Sequence, residues 1–147
     1  MSAKSVICTL QQISAKAVDE AAEQLATSNK ELAAELSKLS MLETYRNEYS
    51  GKLSANLTSG VDIQMHQNYL RFMHMLDDAI HGQQLVVATA KQQVQLDQSA
   101  WQESNKKKLS YEVLGDRAQQ RMQLVENRLE QKMMDEFAMR SPKVRLA

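Results

Sequence analysis

The stretch LATSNKELAAELSKLSML, residues 25–42, decides the fold. Leu25, Leu32, Leu36, Leu39 and Leu42 recur at helical spacing, with Ser28 as the one polar member of the row. Glu31, Glu35 and Lys38 stand between them as a solvated face. Outward, the row continues through Ala21, Ala17, Ile13 and Leu10, and through Tyr45, Tyr49, Leu53 and Leu57. Thirteen steps cover 47 residues, a mean of about 3.6, the period of one helix face. This predicts a helix over about 4–57. At about 1.5 Å per residue it would run roughly 75 Å, too long for a compact domain, so its stripe calls for a coiled-coil partner.

The partner lies in the same chain. Residues 49–62, YSGKLSANLTSGVD, hold two of the four glycines together with clustered Ser, Thr and Asn, which places a turn at about 58–61. Helical spacing then resumes at Tyr69, Met73, Leu76, Ile80, Gln84, Val87, Lys91, Val94, Gln98 and Trp101. It continues less cleanly through Leu109, Tyr111, Leu114, Ala118, Met122, Val125, Leu129, Met133 and Phe137. A second helix over about 62–140 follows, weakened locally by Gly82 and Gly115. The expected fold is all-α: a long two-helix antiparallel coiled coil in one domain, 1–141, with a basic, fraying tail at 142–147. Folded about residue 59, position i of the first helix faces roughly 118 − i of the second. The second helix therefore overhangs from about Ala118 to Phe137 with an apolar face and no partner of its own.

Composition agrees. The 147 residues suit one domain, and proline occurs once, at Pro142. Aromatics are only 5% of residues, against 43% for the wider apolar set, which disfavours a large globular core. Basic and acidic side chains balance at 18 each, so no overall basic footprint for nucleic acid exists. Residues 101–147 nonetheless hold 10 basic and 7 acidic side chains. The single cysteine, Cys8, excludes an internal disulfide and fits a reducing compartment. No apolar h-region opens the chain and no run is long enough to span a bilayer, so a cytoplasmic protein without membrane insertion is expected.

Catalytic chemistry finds little support. His66, His74 and His81 are spaced about 11 Å apart along a helix. Asp77 and His81 could share a metal, but further ligands of matching spacing are missing. There is no Gly-Lys-Ser/Thr for a phosphate loop, and Cys8 has no histidine near it in sequence. The chain is read as non-enzymatic, without catalytic, cofactor or metal residues. Lys106-Lys107-Lys108 reads as a solvated face before it reads as a dock for an acidic partner. In NYLRFMHMLDDAI (68–80) apolar residues wrap most of the helix circumference, which marks a contact site.

Short blocks along the chain carry a resemblance: VDEAA (18–22), YRNEY (45–49), NYLRF (68–72), LDDAI (76–80), WQE (101–103) and ENRLEQKMMDEFA (126–138). With these the sequence resembles the FliJ family of the bacterial flagellar type III export apparatus. The resemblance implies an antiparallel two-helix coil similar to the central stalk subunit of rotary F-type ATPases. It implies docking in the hexameric ring of the flagellar export ATPase FliI, contact with the export gate protein FlhA, and handling of flagellar export chaperones. It also implies a place at the cytoplasmic face of the inner membrane. On this reading Phe72, Leu76, Ala79 and Gln83, one stripe of the second helix, are the expected gate contact. Met122, Val125, Leu129, Met133 and Phe137 on the overhang are the expected ATPase-ring contact. The alternative is a general export chaperone that sequesters the amphipathic ends of exported flagellar subunits.

Overall fold

The computed structural model describes residues 2–60 and 62–140. They form two helices packed against each other, α1 (Ala3–Ser59) and α2 (Ile63–Arg140), with no strand among the described residues. The basic tail expected at 142–147 lies outside the described residues. Ser2 caps α1, its Oγ accepting from the Ser5 amide at 3.3 Å. At the other end of α1 the Thr58 hydroxyl donates to the Ser54 carbonyl at 2.9 Å, and the Ser59 hydroxyl to the Asn56 carbonyl at 3.2 Å. The second of these bonds occupies a carbonyl that the end of a helix leaves free, and α1 runs to Ser59. Gly60 follows with φ of +76°, the left-handed conformation that glycine adopts without a Cβ penalty and that commonly ends a helix.

Contacts gather in two units, one of residues 20–102 and one of Met1–Asp19 with Glu103–Ala147. In the first, the α1 positions withdrawn from water are Ala21, Leu25, Ser28, Leu32, Glu35, Leu39, Leu42, Arg46, Tyr49, Leu53 and Asn56. Their steps alternate strictly between four and three. On α2 the matching positions are His66, Tyr69, Met73, Leu76, Ile80, Gln83, Val87, Ala90, Val94, Asp97 and Trp101, with the same alternation. The mean is 3.5, the heptad spacing of a left-handed coiled coil.

This corrects the sequence-based row. A straight helix face at 3.6 drifts by about 20° per heptad from the 3.5 repeat, so the row agrees with the seam from 21 to 32 and again at Leu39, Leu42, Tyr49 and Leu53, and leaves it at Leu36, Tyr45 and Leu57. Leu36 is 41% exposed and Tyr45 50%, while Glu35 and Arg46 sit in the seam instead. On α2 the seam takes Gln83, Ala90 and Asp97 where the row expected Gln84, Lys91 and Gln98. The register differs as well. Ser28 meets Asp97, Arg46 meets Asp77 and Tyr49 meets Phe72, so position i faces a residue near 122 − i. The offset from the expected 118 − i is about one helical turn, because α1 continues through Thr58 and Ser59.

In the second unit Ile7, Gln11, Ser14 and Val18 of α1 keep the alternation, as do Ser104, Lys108, Tyr111, Gly115 and Ala118 of α2. The Gln11 side chain lies directly over Gly115 and donates to the Tyr111 carbonyl at 3.1 Å. Glycine is required for that approach, since a Cβ would occupy the place of the Gln11 amide. Among the described residues Val18, Leu76 and Val87 are the apolar side chains most withdrawn from water, and they share the interior with Ser14, Ser28 and Asp97. A two-helix seam has only one buried side per helix, so its core is thin and much apolar surface stays outside.

Candidate interaction surfaces

Past Met122 the described part of α2 has no helix against it, and every residue from Arg121 to Arg140 is exposed. The five positions expected at an ATPase ring all lie there. Met122 borders a shallow cavity of about 310 Å³ with Lys4, Ile7 and Gln119. Val125, Leu129, Met133 and Phe137 continue on one side, with Phe137 73% exposed. The heptad seam extended from Ala118 would reach Met122, Val125 and Leu129 and then the charged Lys132 and Glu136. The apolar residues step aside instead to Met133 and Phe137, at a period closer to that of a straight helix. Side-chain bonds on this segment stay within α2, from Gln123 to Asn127 and from Gln131 to Asp135, both at 3.3 Å.

The expected gate-contact stripe divides between surface and seam. Phe72 is 36% exposed and packs on Tyr49, ring centroids 4.3 Å apart and planes tilted by 38°. Ala79 is exposed. Leu76 is 8% exposed and belongs to the seam. Gln83 is half-buried, and its amide donates to the Glu35 carbonyl oxygen at 3.0 Å and to the Glu35 carboxylate at 2.5 Å. That amide holds the Glu35 carboxyl below its ordinary range, with Lys38 adding to the effect and partial burial opposing it. The outward part of the patch is aromatic. Tyr49 lies between Phe72 and Tyr69, whose ring is 6.1 Å away, and Lys52 reaches over the Tyr49 ring at 5.6 Å. These rings line a shallow cavity of about 270 Å³ with Met65 and Asn68. An aromatic-lined depression of this size suits an apolar side chain from a partner helix.

The folded register read from the sequence sets Phe72 beside both Tyr45 and Tyr49 of the first helix, and the structure brings it against Tyr49. The signal that separates the two tyrosines is the strict 3.5 spacing, which puts Tyr49 in the seam and Tyr45 outside. The remaining polar candidates disperse. His74 and His81 are exposed, Asp77 pairs with Arg46, and Lys106 pairs with Glu103 at 3.8 Å. Lys108 lies half-buried in the seam. Among the described residues no three His, Cys, Asp or Glu side chains gather as metal ligands, and no helix is long and apolar enough to cross a membrane.

Fold and surfaces together define a class: a helical-hairpin coiled coil that leaves an apolar helix end and an aromatic patch uncovered. A family model described as the flagellar FliJ protein matches residues 5–146. The flagellar FliJ protein of Salmonella typhi is 33% identical over 133 residues, 90% of this chain and 90% of that protein. That of Escherichia coli (strain K12) is 33% identical over 143 residues, 96% of each. The chain belongs to the FliJ family.

Proposed function

We propose that this member of the FliJ family is a non-enzymatic coupling subunit of the flagellar type III protein export apparatus. It docks in the ring of the export ATPase FliI through the bare end of α2 and promotes assembly or turnover of that ring. It touches the export gate protein FlhA through the patch around Phe72 and Ala79, with Leu76 and Gln83 supporting the patch from the seam, and it receives export chaperones. The observation that carries the reading is the uncovered apolar face formed by Met122, Val125, Leu129, Met133 and Phe137. A helix with such a face and no partner in its own chain gains stability by burying it in another. The unit that includes this face holds 12 basic and 8 acidic side chains, which favours an acidic surface at the dock.

Truncation after Ala118 tests the reading. The shortened chain is expected to remain a helical hairpin by circular dichroism, because its seam ends there, and to lose stimulation of purified FliI. Full stimulation by the truncated chain would overturn ATPase docking through this face. Tight complexes with export substrates and unchanged ATPase turnover would favour the chaperone reading instead.

A further inference from the structure

A seam with unbroken heptad spacing has a register problem. Sliding one helix past the other by seven residues, about 10 Å, brings seam positions back opposite seam positions. Leu, Val, Ile and Ala tolerate such a slip, since apolar contacts are not directional. Polar seam residues do not.

Two polar contacts in residues 20–102 have that property. Asp97 is 8% exposed and Ser28 2%, and the Ser28 hydroxyl donates to the Asp97 carboxylate. The amide of Gln93, one turn away on α2, donates to the other carboxylate oxygen at 3.1 Å. A slip of one heptad carries Asp97 to the level of either Ala21 or Glu35. At Ala21 the buried carboxylate loses its cross-helix donor, and at Glu35 it meets a like charge. Both are costly for a charge withdrawn from water. The second contact is the Gln83 amide on the carbonyl and carboxylate of Glu35. Gln83 makes this contact from near the level of Leu39, reaching back about one turn along the seam, and the slip that brings Asp97 to Glu35 carries it a further heptad away from both acceptors.

We infer that the Ser28–Asp97 layer, seconded by Gln83–Glu35, selects a single register of the hairpin among those one heptad apart. The choice matters beyond stability. The register sets which rings meet at the Tyr49–Phe72 patch, and a slipped hairpin presents a different surface. A layer of this kind gives up some stability for uniqueness, since well-packed apolar residues would hold the two helices at least as firmly.

The test reads register directly. Nitroxide labels at Lys30→Cys and His74→Cys, both exposed and offset by about 30 Å along the coil so that an axial slip changes their separation almost in full, on a Cys8→Ser background report the register by pulsed electron spin resonance. The full chain with an intact layer is expected to give one narrow distance. Ser28→Leu/Asp97→Leu is expected to keep its helicity, to melt no lower, and to show a second population displaced by about 10 Å. Ser28→Ala, a smaller change, is expected to introduce the same second population, and Ser28→Thr, which keeps a hydroxyl, to retain one distance. If Ser28→Leu/Asp97→Leu fails to fold, the Ser28→Ala and Ser28→Thr pair decides. A single unchanged distance in Ser28→Ala, and in the double variant where it folds, overturns the inference.

Discussion

The Gln83 amide spans the seam to the backbone carbonyl of Glu35 at 3.0 Å, and the same nitrogen reaches the Glu35 carboxylate at 2.5 Å. A glutamine that looks free for a partner in the sequence is thus committed to α1. The bond to the carboxylate favours its ionised form, which ties part of the hairpin to pH.

Because the Glu35 pKa is lowered in the folded chain, its contribution to stability is fully present above the ordinary value of 4.5. It is lost as pH falls through the lowered value. Thermal melts of the natural chain and of Gln83→Met are expected to differ most near neutral pH, and the difference is expected to shrink as pH falls through the lowered Glu35 value. A difference that grows on acidification would contradict the assignment.

Aspartate placed along the leucine row separates the 3.5 seam from a 3.6 face. Leu32→Asp and Leu39→Asp put a charge into the seam and are expected to cost about 3 kcal/mol or more. Leu36→Asp, on a side chain 41% exposed, is expected to cost about 1 kcal/mol or less. Urea unfolding followed by circular dichroism gives the three values on one scale.

The glycines sort by surroundings. A Cβ at Gly51 or Gly82 meets nothing within 4 Å, so alanine at either should stabilise the chain by about 1 kcal/mol through helix propensity. At Gly115 the same gain is offset by displacement of the Gln11 amide from the Tyr111 carbonyl, a bond worth about 1 kcal/mol. Gly60→Ala strains a left-handed residue and should destabilise by about 1–2 kcal/mol. The expected order of melting temperatures is Gly51→Ala and Gly82→Ala highest, then Gly115→Ala near the natural chain, then Gly60→Ala.

Phe72 and Leu76 sit four residues apart and predict opposite phenotypes. Phe72→Asp forfeits the stacking on Tyr49, about 1 kcal/mol, and should leave the hairpin folded while binding to FlhA and swimming motility fall. Leu76→Asp charges a buried seam position and should lose helicity and every interaction together. Normal FlhA binding by a folded Phe72→Asp chain would remove this patch from the gate contact.

Much of this architecture was legible in residue order. The absence of proline before Pro142, the glycine and serine cluster around Gly60, and the leucine row required two long helices and one turn. The bare face from Met122 to Phe137 followed from the unequal helix lengths. What periodicity alone could not supply was phase. The periods 3.5 and 3.6 differ by so little that they separate only over several turns, so Leu36 and Glu35 were equally good seam candidates until the partner helix was in place. The polar seam residues Glu35, Arg46, Gln83 and Asp97 were invisible for a related reason. Each of these four has a complementary group on the other helix, a pairing that local spacing does not reveal.

The sequence by itself determined that the chain folds into two helices, where they part, and that α2 has apolar surface which its own chain leaves uncovered. These are local properties: propensity, breakers and spacing act within a few turns. The tertiary structure alone decided which residue faces which. Ser28 meets Asp97, Arg46 meets Asp77 and Tyr49 meets Phe72 because the last two residues of α1 shift the turn by half a helical repeat and move the whole opposite helix by a full one. Pairing across a hairpin is a long-range quantity, and a small displacement at the bend doubles along the facing strand of contacts.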